Sequence, residues 1–333
     1  IALGWGAGGE VTFNKSLEAG SINVNSSGAV IVGSGVNLAT SNIDTGAASA
    51  STGDIVITAA SGISGSGTLT TGSANASTTA TSGKIQLDAG GSTLQLGTLT
   101  TGDATAGTTA VVGDIILSAT GIGTDSTTPQ VVALGTPAAA TPTPGTLNLT
   151  TTGSGSGGDI YISSAVALNV KDITTATNDT QTIDISTTSG APLTFVAGAT
   201  YTGVAGDNGG DANGDNVIVR TAGGSTATVT FKTDLQAGSI DVHSAGAVTI
   251  NAALSTTNVD TSSGTGSGSG NDAVSGSILI IADTGSISGT GSLKTGDATA
   301  DTNDGALNAT SGNITLTATS GAITLAGTMT TGY

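Results

Sequence analysis

Gly53-Asp54-Ile55-Val56-Ile57-Thr58-Ala59 opens a pattern that ends on Leu69-Thr70-Thr71-Gly72 and starts again at Gly83-Lys84-Ile85-Gln86-Leu87-Asp88-Ala89. The second copy closes on Leu99-Thr100-Thr101-Gly102, and Gly113-Asp114-Ile115-Ile116-Leu117-Ser118-Ala119 opens a third. Between the copies lie Ser73 to Ser82 and Asp103 to Val112, mostly small and polar residues. A period of about thirty residues is the mark of a stacked repeat rather than an ordinary globular domain. Each copy reads as a coil of about twenty residues plus a loop that always leaves from the same corner.

Alternation carries the reading outward from this stretch. Apolar pairs two residues apart recur at Ile22/Val24, Ile55/Ile57, Ile85/Leu87, Ile115/Leu117, Ile160/Ile162, Ile183/Ile185, Val217/Val219, Ile240/Val242, Ile278/Ile280 and Ile314/Leu316. Period two puts both members of a pair on one face of a strand. A second set follows at Val30/Val32, Ile63, Leu94/Leu96, Ile122, Val166/Leu168, Leu193/Phe195, Val229/Phe231, Val248/Ile250, Ile287 and Ile323/Leu325. A third precedes the loops, at Ile43, Leu69, Leu99, Ile173, Leu235, Val259, Leu293 and Met329. Three short strands per coil, turned by Gly, Ser, Asn and Asp, describe an all-β fold, a parallel β-helix or β-solenoid. Ten or eleven such coils fit the chain, roughly 50 Å of stack at ~4.8 Å per strand. One coil alone buries too few aliphatic side chains to offset roughly 1–2 kcal/mol of backbone entropy per residue, whereas stacked coils share a core.

The sequence predicts a single continuous solenoid over 1–333 with an internal duplication of 11–102 and 229–332. Val11-Thr12-Phe13 matches Val229-Thr230-Phe231, and Ala19-Gly20-Ser21-Ile22 matches Ala237-Gly238-Ser239-Ile240. Thr98 to Gly102 matches Thr328 to Gly332. The middle, 103–228, is less regular. Pro129, Pro137, Pro142 and Pro144 mark 124–145 as a projecting loop, because proline cannot donate to a ladder; Val131-Val132-Ala133-Leu134 within it could form a short strand. Val204 to Asn216 and Ser262 to Ser275 read as further loops.

Charge and composition exclude several functions. Six Lys and Arg against 23 acids leave a net charge of −17, and nucleic-acid binding needs the opposite. Anionic membranes are disfavoured for the same reason, and no run of 18 apolar residues spans a bilayer. With no cysteine there is neither a disulfide frame nor a thiolate metal site. Catalysis has little to use: His243 is the single His, at the position Asn25 holds in the other copy and so read as a surface turn residue, and the few Lys and Arg are scattered. No Gly-rich nucleotide loop opens a helix. The sequence is therefore read as non-enzymatic, with cations, neutral glycans and further copies of itself as candidate partners.

The best metal candidate is Asp207-Asn208-Gly209-Gly210-Asp211-Ala212-Asn213-Gly214-Asp215-Asn216, where Asp211, Asn213 and Asp215 alternate as the first three oxygens of a calcium loop do and Asp207 is a further candidate ligand. No acid follows at the twelfth position, and the competing reading is solvated turn residues. Asp297, Asp301 and Asp304 form a second, sparser group. The threonines Thr70/Thr71, Thr100/Thr101, Thr295 and Thr330/Thr331 should stack coil on coil as an array that could order water as an ice-binding face, or simply as good strand residues. The outward position between the first-strand pairs reads Asn23, Val56, Gln86, Ile116, Tyr161, Asp184, Ile218, Asp241, Leu279 and Thr315, apolar enough to suggest a lateral contact. Asp54, Lys84 and Asp114 should stack as cross-strand charge pairs.

Coils such as Gly312-Asn313-Ile314-Thr315-Leu316-Thr317-Ala318 followed by Gly321-Ala322-Ile323-Thr324-Leu325 resemble the repeat shafts of filamentous-haemagglutinin-type adhesins, the large bacterial exoproteins of two-partner secretion and autotransporter systems. The pattern covers nearly the whole chain. The resemblance implies a right-handed β-helix, export to the cell surface, and a structural or adhesive role in attachment, biofilm or sheath, with self-association end to end and laterally. The alternative is a calcium- or glycan-binding module that recognises its ligand through the corner loops. A polysaccharide-degrading β-helix would need a cleft with cations or aromatics, which the sequence does not offer.

Overall fold

A computed structural model describes residues 1–5, 8–176, 180–204, 214–260, 273–300 and 308–333. Its contacts divide the chain into two compact units, 1–152 with 161–170 and 153–160 with 171–333. Both are stacks of short parallel strands, so the fold is a parallel β-solenoid.

In the first unit the first face is built from Ile22–Ser26, Ile55–Ala59, Ile85–Asp88, Ile115–Ala119 and Leu147–Thr151. Ile22, Ile55, Ile85, Ile115 and Leu147 lie in one register column, each on the one before. These inward side chains are buried, as the alternation requires. The second face holds Val11–Phe13, Val30–Val32 and Ile63–Gly65 and thins to single bridges at Gln95 and Ile122. The third holds Leu17–Ala19, Asn37–Thr40, Thr68–Thr70, Thr98–Thr100 and Gln130–Ala133.

The stretches that composition marks as corner loops are ordered. Ile43–Asp44, Ala74–Asn75, Ala104–Thr105 and Pro137–Ala138 pair in one small parallel sheet. Ser49–Ser51, Thr79–Thr81, Thr109–Val111 and Thr141–Thr143 pair in another. These coils therefore carry two strands beyond the three expected faces. The two extra sheets enclose a side lobe whose core is Ala50, Ala74, Ala76, Ala80, Ala104, Ala110 and Val112.

Residues 124–145 are likewise no projecting loop. Only the turn before Gln130 departs from the ladder; the rest forms a full coil. Pro137 and Pro142 fit because each lies on the outermost strand of its sheet, where the missing N–H removes no ladder bond. Val131 and Val132 do form a strand, with Gln130 and Ala133. Because this segment uses up a coil, Ile162 falls on Gln130 in the third face. The first-face position that the alternation assigned to it is held by Leu147 and Leu149. Ile43 points into the side lobe, and Leu38 takes its place in the third column.

In the second unit Thr182–Thr187, Asn216–Thr221, Ser239–Ser244, Ile278–Ala282 and Ile314–Ala318 stack with Ile183, Val217, Ile240, Ile278 and Ile314 in one column. Leu193, Val229, Val248, Ile287 and Ile323 form the next. Leu235, Leu254, Leu293 and Met329 form the last. Val259 pairs with Ala298 in a second, smaller side lobe rather than in that column. Phe195 stacks on Phe231 at 4.8 Å and 10°, and Tyr201 meets Phe195 edge-on at 6.2 Å, an aromatic column inside the aliphatic core.

Candidate functional site

Where the side lobe joins the main coil, two stretches of chain cross side by side, and the recurring Thr-Gly and Ser-Gly pairs sit at that crossing. The Thr71 hydroxyl donates to the Gly83 carbonyl at 2.8 Å and accepts the Gly102 N–H of the next coil at 2.9 Å. Thr52 does the same between Gly72 O and Gly83 N, both at 2.8 Å. Thr40 does it between Gly53 O at 2.9 Å and Gly72 N at 2.8 Å. The second unit repeats the device with Thr256, Ser275 and Thr295 around Gly276, Gly296 and Gly312. Each hydroxyl thus ties the outgoing chain to the returning chain and one coil to the next. Glycine is required because the backbones nearly touch: a β-carbon on Gly83 would lie 2.0 Å from Gly53 O, and one on Gly276 would lie 1.6 Å from Gly238 O.

This narrow waist leaves a cleft on either side of it in the first unit. One, of about 290 Å³, lies between the third face and the outgoing lobe strand and is lined by Asn42, Thr70, Ser73, Thr100, Asp103 and Thr136, with Val166 at its lip. The other, of about 430 Å³, lies between the returning strand and the first face, against Ser21, Asn23, Ser51, Asp54 and Val56. A third hollow, about 470 Å³, follows the corner after the first face, at Asn25, Thr58, Asp88 and Gly90.

The acids, read in the sequence as a determinant of partners, act first as local acceptors. Asp54 Oδ1 accepts the Lys84 N–H at 2.9 Å, Asp114 Oδ1 the Thr146 N–H at 2.7 Å, and Asp103 Oδ1 the Thr136 N–H at 2.7 Å. In the second unit Asp159, Asp172 and Asp234 accept from Thr182, Thr200 and Ala253 in the same way. Each extends the ladder by one bond at a turn where no backbone carbonyl is in reach. This use of Asp54 and Asp114 replaces the expected charge pairing: Lys84 Nζ instead donates to Gln86 Oε1 at 3.0 Å.

Of the calcium candidates, Asp207, Asp211 and Asn213 lie outside the described residues, as do Asp301, Asp304 and most of the 204–216 loop. Asp215 is fully buried: its Oδ2 accepts the Thr175 hydroxyl at 2.6 Å and its Oδ1 the Gln181 N–H at 3.0 Å. Asp297 accepts the Tyr333 N–H at 3.4 Å and lies 4.0 Å from Lys294 Nζ. Among the described residues no three His, Cys, Asp or Glu side chains are grouped to hold a metal ion. His243 sits on a strand rather than in a turn, exposed, with its Nε2 3.2 Å from both oxygens of Asp283, one register step from Arg220, which pairs with Asp184. Of the threonine array, Thr71, Thr101 and Thr295 are buried at the waist, and only Thr70 and Thr100 stack on the outer side.

Burial raises the Tyr201 hydroxyl far above its ordinary pKa, with the nearby Asp172 carboxylate adding to it, so the phenol stays neutral. Asp125, fully exposed, is held down at about 2 by hydrogen bonds from the Thr127 hydroxyl and the Thr128 and Thr127 N–H groups. No family model, no curated protein and no solved structure matches this chain.

Proposed function

We propose that this chain is a non-enzymatic structural segment of an extracellular fibre, the shaft of a surface-attachment, biofilm or sheath protein. The reading rests on one observation: among the described residues, recurring carboxylates and hydroxyls hold coil to coil. Carboxylates cap turns and hydroxyls fasten the waist. Rigidity repeated from coil to coil is what a shaft supplies, since within each unit every coil is fixed by its neighbours. The half-buried outward residues lie on two different sheets, Val56 and Ile116 on one and Ile218 and Leu279 on the other, and either pair would serve lateral contact between shafts. Negative-stain electron microscopy of the purified chain, with thermal melts with and without EGTA, is the test. Rods or filaments of uniform width and a melting temperature indifferent to EGTA support the shaft. Compact isolated particles, or a melt lowered by EGTA, overturn it in favour of a calcium-binding module.

A further inference from the structure

In the cleft between the third face and the outgoing lobe strand, successive coils present one polar row each, about 4.8 Å apart. On the lobe side Asn42 Oδ1 accepts the Ser73 N–H at 2.8 Å, Ser73 Oγ accepts the Asp103 N–H at 3.1 Å, and Asp103 Oδ1 accepts the Thr136 N–H at 2.7 Å. Each of these side chains keeps something for a ligand: the Asn42 amide N–H groups, the Ser73 O–H and the second Asp103 oxygen. On the opposite wall the Thr100 hydroxyl, half-buried, makes no hydrogen bond to the described residues. Donors and acceptors therefore recur at a fixed step along a narrow trough. At its lip Val166, 38% exposed, offers an apolar surface.

We infer that this trough binds an extended, neutral glycan, one sugar per coil, through the hydroxyl and amide rows with Val166 against the C–H face of a pyranose. Polymer rather than monomer follows from the repeat, because a single sugar meets one row while a chain meets each in turn. Neutrality follows from charge: one carboxylate and no cation line the trough, in a chain of net charge −17. No aromatic ring lines it, so a few hydrogen bonds set the affinity, about 1 mM for a pentasaccharide. The proposal stands whether or not the chain assembles into fibres.

The experiment is titration of the isotope-labelled full chain with cellopentaose, followed by amide chemical shifts, alongside glucose and a galacturonate oligomer. The trough is supported by saturable shifts at Thr100, Asp103 and Thr136. Thr100→Val and, separately, Ser73→Ala should each weaken binding about threefold or more, while Thr249→Val on an outward strand of the second unit leaves it unchanged. Absence of any shift by about 10 mM cellopentaose overturns it. So does an affinity that neither trough variant changes, glucose binding as tightly as the pentasaccharide, or the anionic oligomer binding as tightly as the neutral one.

Discussion

The main coil and the side lobe of the first unit are built on the same ladder and filled differently. Ile55, Ile57, Ile85, Leu87 and Leu117 fill the main coil, while the lobe is filled by alanines and Val112. Burying an aliphatic side chain contributes about 1.5–3 kcal/mol and burying a methyl group about 0.8 kcal/mol. The lobe thus takes little from burial and depends on register: its strands are two or three residues long and hold because each lies in register on a neighbour of the same length. The waist hydroxyls contribute by fixing both ends of the first two lobe coils, at Thr40 with Thr52 and at Thr71 with Ser82, and the outgoing end of the next at Thr101. A segment can be ordered by repetition without a hydrophobic core worth the name.

The largest effect should come from the main coil. Ile85→Ala opens a cavity between Ile55 and Ile115 and is expected to cost about 2–5 kcal/mol, read as a lowered urea midpoint with an unchanged slope. A loss below 1 kcal/mol would mean that the aliphatic column is not what holds the coil. Next comes the waist. Thr71→Val keeps the shape but leaves Gly83 O and Gly102 N without their partner in a buried place, at a cost of about 1–3 kcal/mol. Hydrogen exchange should show the lobe amides, Ala74 to Thr81, opening ahead of Ile85 to Asp88. If both open together, the lobe and the main coil form one cooperative unit and the contrast drawn here fails.

That contrast also explains what could be read from the sequence. Ile, Leu and Val at period two, returning at a fixed interval, placed Ile55, Ile85 and Ile115 over one another before any coordinates. Alanine gave no such signal, being a poor strand former, so Ala74-Asn75 and Thr79-Ala80-Thr81 were indistinguishable from loop. Proline misled for a physical reason: it forbids the middle of a sheet, and Pro137 and Pro142 stand at the edge. One legible clue went unused. The residue after each waist glycine, Ser73, Asp103 and Thr136 on one side and Asp54, Lys84, Asp114 and Thr146 on the other, recurs with the coil. Nearly all of these carry an oxygen that can take the next coil's N–H.

A smaller substitution sharpens the same comparison inside the lobe. Ala80→Gly removes one buried methyl and adds backbone freedom, for an expected loss of about 0.5–1 kcal/mol. The loss should appear as faster exchange in Thr79 to Ser82 with the urea midpoint of the main coil nearly unmoved. A global shift as large as that of Ile85→Ala would show that the lobe supports the stack.

The smallest effect belongs to the turn that starts the proline-bearing coil. Asp125 Oδ1 accepts the Thr127 hydroxyl at 2.6 Å and the Thr127 and Thr128 N–H groups at 2.7 and 2.8 Å, which sets the approach to Gln130. These bonds lower its pKa from 3.8 to about 2. A depressed folded-state pKa means that the carboxylate stabilises the turn fully above pH 3.8, and that this contribution fades as the pH falls through about 2. The carboxyl carbon shift of Asp125 should therefore titrate near pH 2 rather than at the ordinary 3.8. In Asp125→Asn the exchange of Thr127 and Thr128 should lose its dependence on acid over that window. An Asp125 that titrates at 3.8 would show that the turn is held by the ladder alone, and that the edge coil needs no local cap beyond the register it shares with Thr98–Thr100.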